Sequence, residues 1–197
     1  MQIKNLTLGL VITLFLSCTI GENGKTKENA TILGQGEMPN INKTIDSSNQ
    51  EMLTKKGFDL MQTESVGAIK FGLTSKQIID LIGEPDETSE PFFSEVDGET
   101  YQHFDYKSKG IFLSFVIKSD SIKEVRLIEI KAPCILKTSR QIGVGSTDAE
   151  VMNSYKEYIN RQYSDSSDIV AGSIYGGIIF SLQKQKVKSI YFGPTAD

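Results

Sequence analysis

Hydrophobic positions along the chain change their pattern several times, and each pattern predicts a different element. Leu6 to Leu16 is an apolar run broken only by Thr7, Gly9 and Thr13; Lys4 precedes it, Ser17-Cys18 closes it, and a polar stretch (TIGENGKTKENA) follows. A charged start, an apolar stretch of about 7–15 residues and a small residue before the cut describe a cleavable secretory signal, here residues 1–17. The run falls short of the roughly 20 apolar residues that a membrane-spanning helix needs. From Thr19 to about Lys56 the chain is dominated by Gly, Asn, Lys, Thr, Glu and Ser, with no sustained period. Such composition buries too little apolar surface to offset the entropy of ordering. Residues 18–56 are therefore expected to form a flexible tether, with EMLTKK (51–56) adding at most one helical turn. At roughly 5–6 Å × √n, about 38 residues reach on the order of 35 Å.

Beyond residue 57 the pattern becomes periodic, and it occurs twice. IKFGLTSKQIIDLIGEPD begins at Ile69 and IGVGSTDAEVMNSYKEYI at Ile142, both reading Ile-x-apolar-Gly-x-Thr-x-x-Gln/Glu-apolar. Thr74 with Gln77, and Thr147 with Glu150, are capping boxes, in which a hydroxyl and a long acceptor satisfy orphaned backbone N–H groups. A helix is expected after each box. Ile78, Leu81 and Ile82 would line the first, ended by Gly83 and Pro85. Val151, Tyr155 and Ile159 would line the second, which is expected to run on through Lys156, Glu157 and Tyr158. Strand chemistry follows each helix: YQHFDY (101–106), GIFLSFVI (110–117) and IKEVRLIEIK (122–131), then DIVAGSIY (168–175), GIIFSLQ (177–183) and VKSIYFG (187–193). Alternation such as Ile111, Leu113, Phe115, Ile117 predicts antiparallel strands with one face covered by the helix. The expected fold class is α+β: two tandem units, each a helix packed on a three- to four-stranded antiparallel sheet. Their predicted limits are 57–134 and 135–197.

Two resemblances arise from these residues. FLSC, ending at Cys18, resembles a lipobox, with Phe15 where leucine or valine is usual. It implies that Cys18 becomes the first residue of the mature protein and carries a lipid anchor. Several acyl chains, at about 0.8 kcal/mol per buried CH₂, hold a protein stably on a membrane. GLTSKQIIDLIGEPD is similar to the start of the SmpA/OmlA-type (BamE-like) domain of small outer-membrane assembly lipoproteins. Two such units in tandem resemble the β-lactamase inhibitor protein architecture. The second copy departs from this pattern, because Lys156, Glu157 and Tyr158 replace the Gly-x-Pro stop. The resemblance implies protein–protein binding and carries over no catalytic residue. Thr19 is not the aspartate associated with inner-membrane retention, so by resemblance the outer membrane is favoured.

Charge narrows the partners. With Lys+Arg 21 against Asp+Glu 25, the net charge is −4. Nucleic acid and anionic lipid headgroups would both favour a basic patch, so neither is expected as a partner. Of the two cysteines, an acylated Cys18 leaves Cys134 unpaired, as a small apolar packing residue.

Little chemistry stands out. His103 is the only histidine, and nothing supplies the spaced ligands of a zinc site. On an alternating strand it shares a face with Tyr101 and Asp105, as a surface or hydrogen-bonded residue. Glu84, Asp86, Glu87, Glu90, Glu95, Asp97 and Glu99 form an acidic run without Lys or Arg around Pro91-Phe92-Phe93. It reads as a solvated loop, or as an acidic rim around a partner-binding aromatic pair. SEVDGE lacks the ligand ladder of a calcium loop. Gly176-Gly177 suits a hairpin turn. The expected function is a membrane-anchored envelope lipoprotein acting as a non-enzymatic protein-binding module, with no cofactor and no metal. Phe92, Phe93, Tyr101 and Tyr106 are its candidate partner-binding residues. The rivals are an envelope hydrolase using acids of 84–99 and a small-ligand carrier.

Overall fold

Thr74 and Thr147 each start a helix by the same reciprocal exchange. Thr74 Oγ1 accepts from Gln77 N at 3.3 Å while Gln77 Oε1 accepts from Thr74 N at 2.8 Å. Glu150 N donates to Thr147 Oγ1 at 3.2 Å, and Thr147 N donates to Glu150 Oε2 at 2.6 Å. The computed structural model describes residues 47–194. The expected signal peptide, Cys18 and the tether up to residue 46 lie outside the described residues.

The elements run α1 (Ser47–Thr63), α2 (Ser75–Ile82), β1 (Glu87–Thr88), β2 (Phe92–Phe93), β3 (Thr100–Tyr106), β4 (Ile111–Ile117), β5 (Lys123–Lys131), α3 (Asp148–Ser154), β6 (Asp168–Ser173), β7 (Gly176–Gln183) and β8 (Lys186–Phe192). The protein is α+β, with one eight-stranded antiparallel sheet in the order β1-β3-β4-β5-β8-β7-β6 and β2 beside β3. Among the described residues no helix is long and apolar enough to cross a membrane.

The expected pair of separate units is corrected here. β5 and β8 pair edge to edge, Ile128 opposite Phe192 and Ile130 opposite Ile190, so the strands of both halves form one sheet. Across it runs a core row, Tyr106–Ile111–Ile130–Ile190–Phe180–Ile169, each residue directly opposite the next. Ile78 of α2, Val151 of α3 and Leu60 of α1 join the same buried cluster, which puts the helices on this face. Fully burying one such side chain contributes about 1.5–3 kcal/mol. Residue 134 therefore does not separate two hydrophobic cores.

Three local expectations also change. The tether was expected to reach residue 56, but helix begins at Ser47, and Leu53, Gly57, Leu60 and Met61 turn inward at helical spacing. A Cβ at Gly57 would lie 1.9 Å from the Gly176 carbonyl oxygen, so α1 rests directly on the β6–β7 hairpin. In α2, Leu81 is exposed and Ile79 packs beside Ile82 instead. The α3 helix stops at Ser154 rather than running on. There the chain turns to bond β6, through Asn160 N to Val170 O and Gly172 N to Tyr158 O, both at 2.8 Å, so Ile159 leaves the helix.

Glu64, just past α1, ties the helical layer together. Its side chain is 1% exposed, and Oε2 receives Arg140 Nε at 3.2 Å and Tyr155 OH at 3.1 Å. Oε1 receives Ser139 N at 2.8 Å and Ser65 N at 3.1 Å. A buried carboxylate costs several kcal/mol unless paired and hydrogen-bonded, and here these four donors, with the Ser139 hydroxyl on Oε1 as a fifth, satisfy it.

Candidate functional site

On its other face the sheet is half-exposed from β3 to β7 and buried at Val170 of β6. Strand alternation places Asp105, Phe112, Glu129, Tyr191, Ile179 and Val170 in a second row there, each opposite the next. His103 and Tyr101 lie two and four residues from Asp105 on β3 and face the same way, as expected.

At the β2 end this face becomes aromatic. Phe92 stands opposite Tyr101, with ring centroids 6.1 Å apart. The His103 ring packs edge-on between Phe92 at 4.8 Å and Phe112 at 4.9 Å. Edge-to-face contacts of this kind set a ring's orientation as well as burying area. Burial holds the His103 imidazole below its ordinary pKa, so it is neutral near pH 7. Phe92, Tyr101, His103, Leu127, Tyr191 and Arg126 border a solvent-open groove of about 450 Å³.

The loop after β2 is the groove's rim. Ser94 N bonds Glu99 O at 2.9 Å and Gly98 N bonds Ser94 O at 3.0 Å. Tyr101 OH donates to Asp97 Oδ2, which ties the turn to β3. Burial, then the Asp97 bond, pushes the Tyr101 phenol up to about 12, and the same bond lowers Asp97. Asp97 thus stays ionised and acceptor-only.

The acidic run divides by role. Asp86 accepts from Ser108 N and Oγ, both at 2.8 Å, and is lowered by them. Glu87 pairs with Lys107. Glu84, Glu90, Glu95 and Glu99 are exposed, and no ion pair holds them among the described residues. A catalytic acid needs burial to raise its pKa; all seven carboxylates face solvent.

Of the candidate partner-binding residues, three gather at this end of the sheet. Phe92 is 42% and Phe93 64% exposed, and Tyr101 borders the groove. Tyr106 is corrected: it is fully buried in the helical-side core, with its OH donating to Gly83 O at 3.1 Å. It lies five positions along the strand from Tyr101, and an odd offset puts two side chains on opposite faces. Cys134 is free and buried, and burial pushes its thiol up, which suits packing rather than attack. Arg126 and Tyr191 were not anticipated. Arg126 reaches the rim because the register slips at Ser114/Phe115, and Tyr191 comes from the far half through the β5–β8 seam.

Comparison with protein-family models, with curated proteins and with solved structures finds no match.

Proposed function

We propose that this protein is a membrane-tethered, non-enzymatic binding module of the bacterial envelope. Acylated Cys18 anchors it, and the open sheet face engages another envelope protein. One observation carries the reading: the Phe92–His103–Phe112 ladder lies outside the buried core, on the half-exposed β2–β4 part of the sheet's second face. Exposed aromatic anchors that a partner can desolvate are what binding hot spots use.

The lipobox-like FLSC supports the anchor. The SmpA/OmlA resemblance draws support from a plan used twice, a capping-box helix followed by a three-strand meander: α2 with β3–β5, and α3 with β6–β8. On this reading the two meanders are fused copies, joined through their last strands. Exposure of the carboxylates of 84–99 favours binding over hydrolysis. The groove favours one second reading, a small-ligand carrier, because its roughly 450 Å³ falls within the range of ligand pockets.

In-cell crosslinking followed by affinity purification should recover an envelope protein, and the Phe92→Ser/Phe93→Ser variant should lose it. Recovery of a bound small molecule and no protein would favour the carrier instead. Cys18→Ser should release the protein from membranes and abolish uptake of labelled palmitate. A variant that stays wholly with membranes, beside a wild type that takes up no label, contradicts the anchor.

A further inference from the structure

From the rim of the groove we infer the chemistry of the partner: an extended segment carrying Lys or Arg beside apolar side chains. The inference rests on the binding reading above and deepens it. Phe92, Phe93 and Val96 are 42%, 64% and 71% exposed, three large apolar side chains on one short stretch. Glu90, Glu95 and Glu99 alternate with them along the same stretch of chain, exposed and in no ion pair among the described residues. A carboxylate trio beside apolar surface attracts a cation whose stem or neighbours are apolar, and Lys and Arg stems lie along such surface while their heads reach the acids.

The rim does not have to be rebuilt on binding. The Ser94–Glu99 turn is closed by its own backbone bonds and by Tyr101 on Asp97. A preordered site loses less affinity to ordering. The shape suits an extended chain, since β2 has a strand neighbour on one side only, β3. A peptide laid along the sheet edge there presents every second side chain to the aromatic face.

Among the described residues Arg126 is the one cation bordering the groove, and it lies on β5. It favours a partner acid at that wall, while the three unpaired glutamates set the sign at the β2 end. Anionic membrane surfaces and nucleic acids are repelled by the same rim.

The test uses the purified full chain and three fluorescent peptides that share Leu and Phe at alternate positions. The remaining positions hold Lys, Gln or Glu. At low ionic strength the Lys peptide should bind about tenfold tighter than the Gln peptide, and added salt should shrink the difference. Glu90→Gln/Glu95→Gln/Glu99→Gln, all at exposed positions, should bring the affinity of the Lys peptide down to that of the Gln peptide. Equal binding of all three peptides, or a preference for the Glu peptide, overturns the basic-partner inference while leaving the groove as a binding site. A Lys preference that survives the triple substitution also overturns it, because the rim would not be its source. Binding of none of the peptides overturns both this inference and the surface it rests on.

Discussion

Gly57 and Gly176 meet backbone to backbone: a methyl on Gly57 would lie 1.9 Å from the Gly176 carbonyl oxygen and 3.0 Å from Gly172 Cα. Glycine in mid-helix costs about 1 kcal/mol relative to alanine. Propensity alone therefore says Gly57→Ala stabilises the protein. The contact says the reverse, because the obstacle is backbone and cannot rotate away. Overpacking costs about 1–3 kcal/mol, so a net loss on the order of 1–2 kcal/mol is expected in urea unfolding.

The Glu64 cluster gives a graded series. Tyr155→Phe keeps the ring against Phe180, 4.8 Å away, and removes one hydroxyl shared between Glu64 and Thr138. It should cost about 1 kcal/mol. Glu64→Ala takes the acceptor from Ser65 N and the Ser139 hydroxyl, leaves Tyr155 OH with Thr138 alone, and should cost about 3 kcal/mol. Arg140 is 37% exposed, so its freed charge is hydrated and adds little. Calorimetry that ranks Tyr155→Phe above Glu64→Ala in cost contradicts this reading of the network.

His103 gives the fold a pH dependence in a defined window. Burial lowers its pKa from 6.5, so the unfolded chain takes up the proton first as pH falls. The stability involved is complete above about 6.5 and is lost as pH drops below it. Asp86 and Asp97 are lowered from 3.8, so their contributions disappear only at more acidic pH. Melting temperatures measured from pH 7 to pH 5 should therefore decline in the wild type and flatten in His103→Gln. Asp97 and Arg126 border the same groove, and the lowered Asp97 carboxyl stays ionised across this window.

The capping boxes were legible because both partners sit three residues apart, and the paired strands because alternation is a local signal. Composition groups Tyr106 with Tyr101 as an aromatic candidate, but its offset of five on the strand assigns it to the other face. α1 was legible only in part: Leu53, Leu60 and Met61 keep helical spacing, but Gly57 reads as a breaker until Gly176, far along the chain, gives it a reason. The β5–β8 seam depends on contact between segments about 60 residues apart, which no local pattern encodes. The groove inherits that limit, since it takes Tyr191 from one side of the seam and Phe92 from the other.

Photo-crosslinking in intact cells tests the central claim most directly. A photoreactive residue at Phe92 or Tyr101 samples the open face, and one at exposed Leu81 samples the helical side. The account predicts a discrete protein adduct from positions 92 and 101 and none from 81. Adducts from 81 alone, or from no position, would contradict the open sheet face as the site of binding.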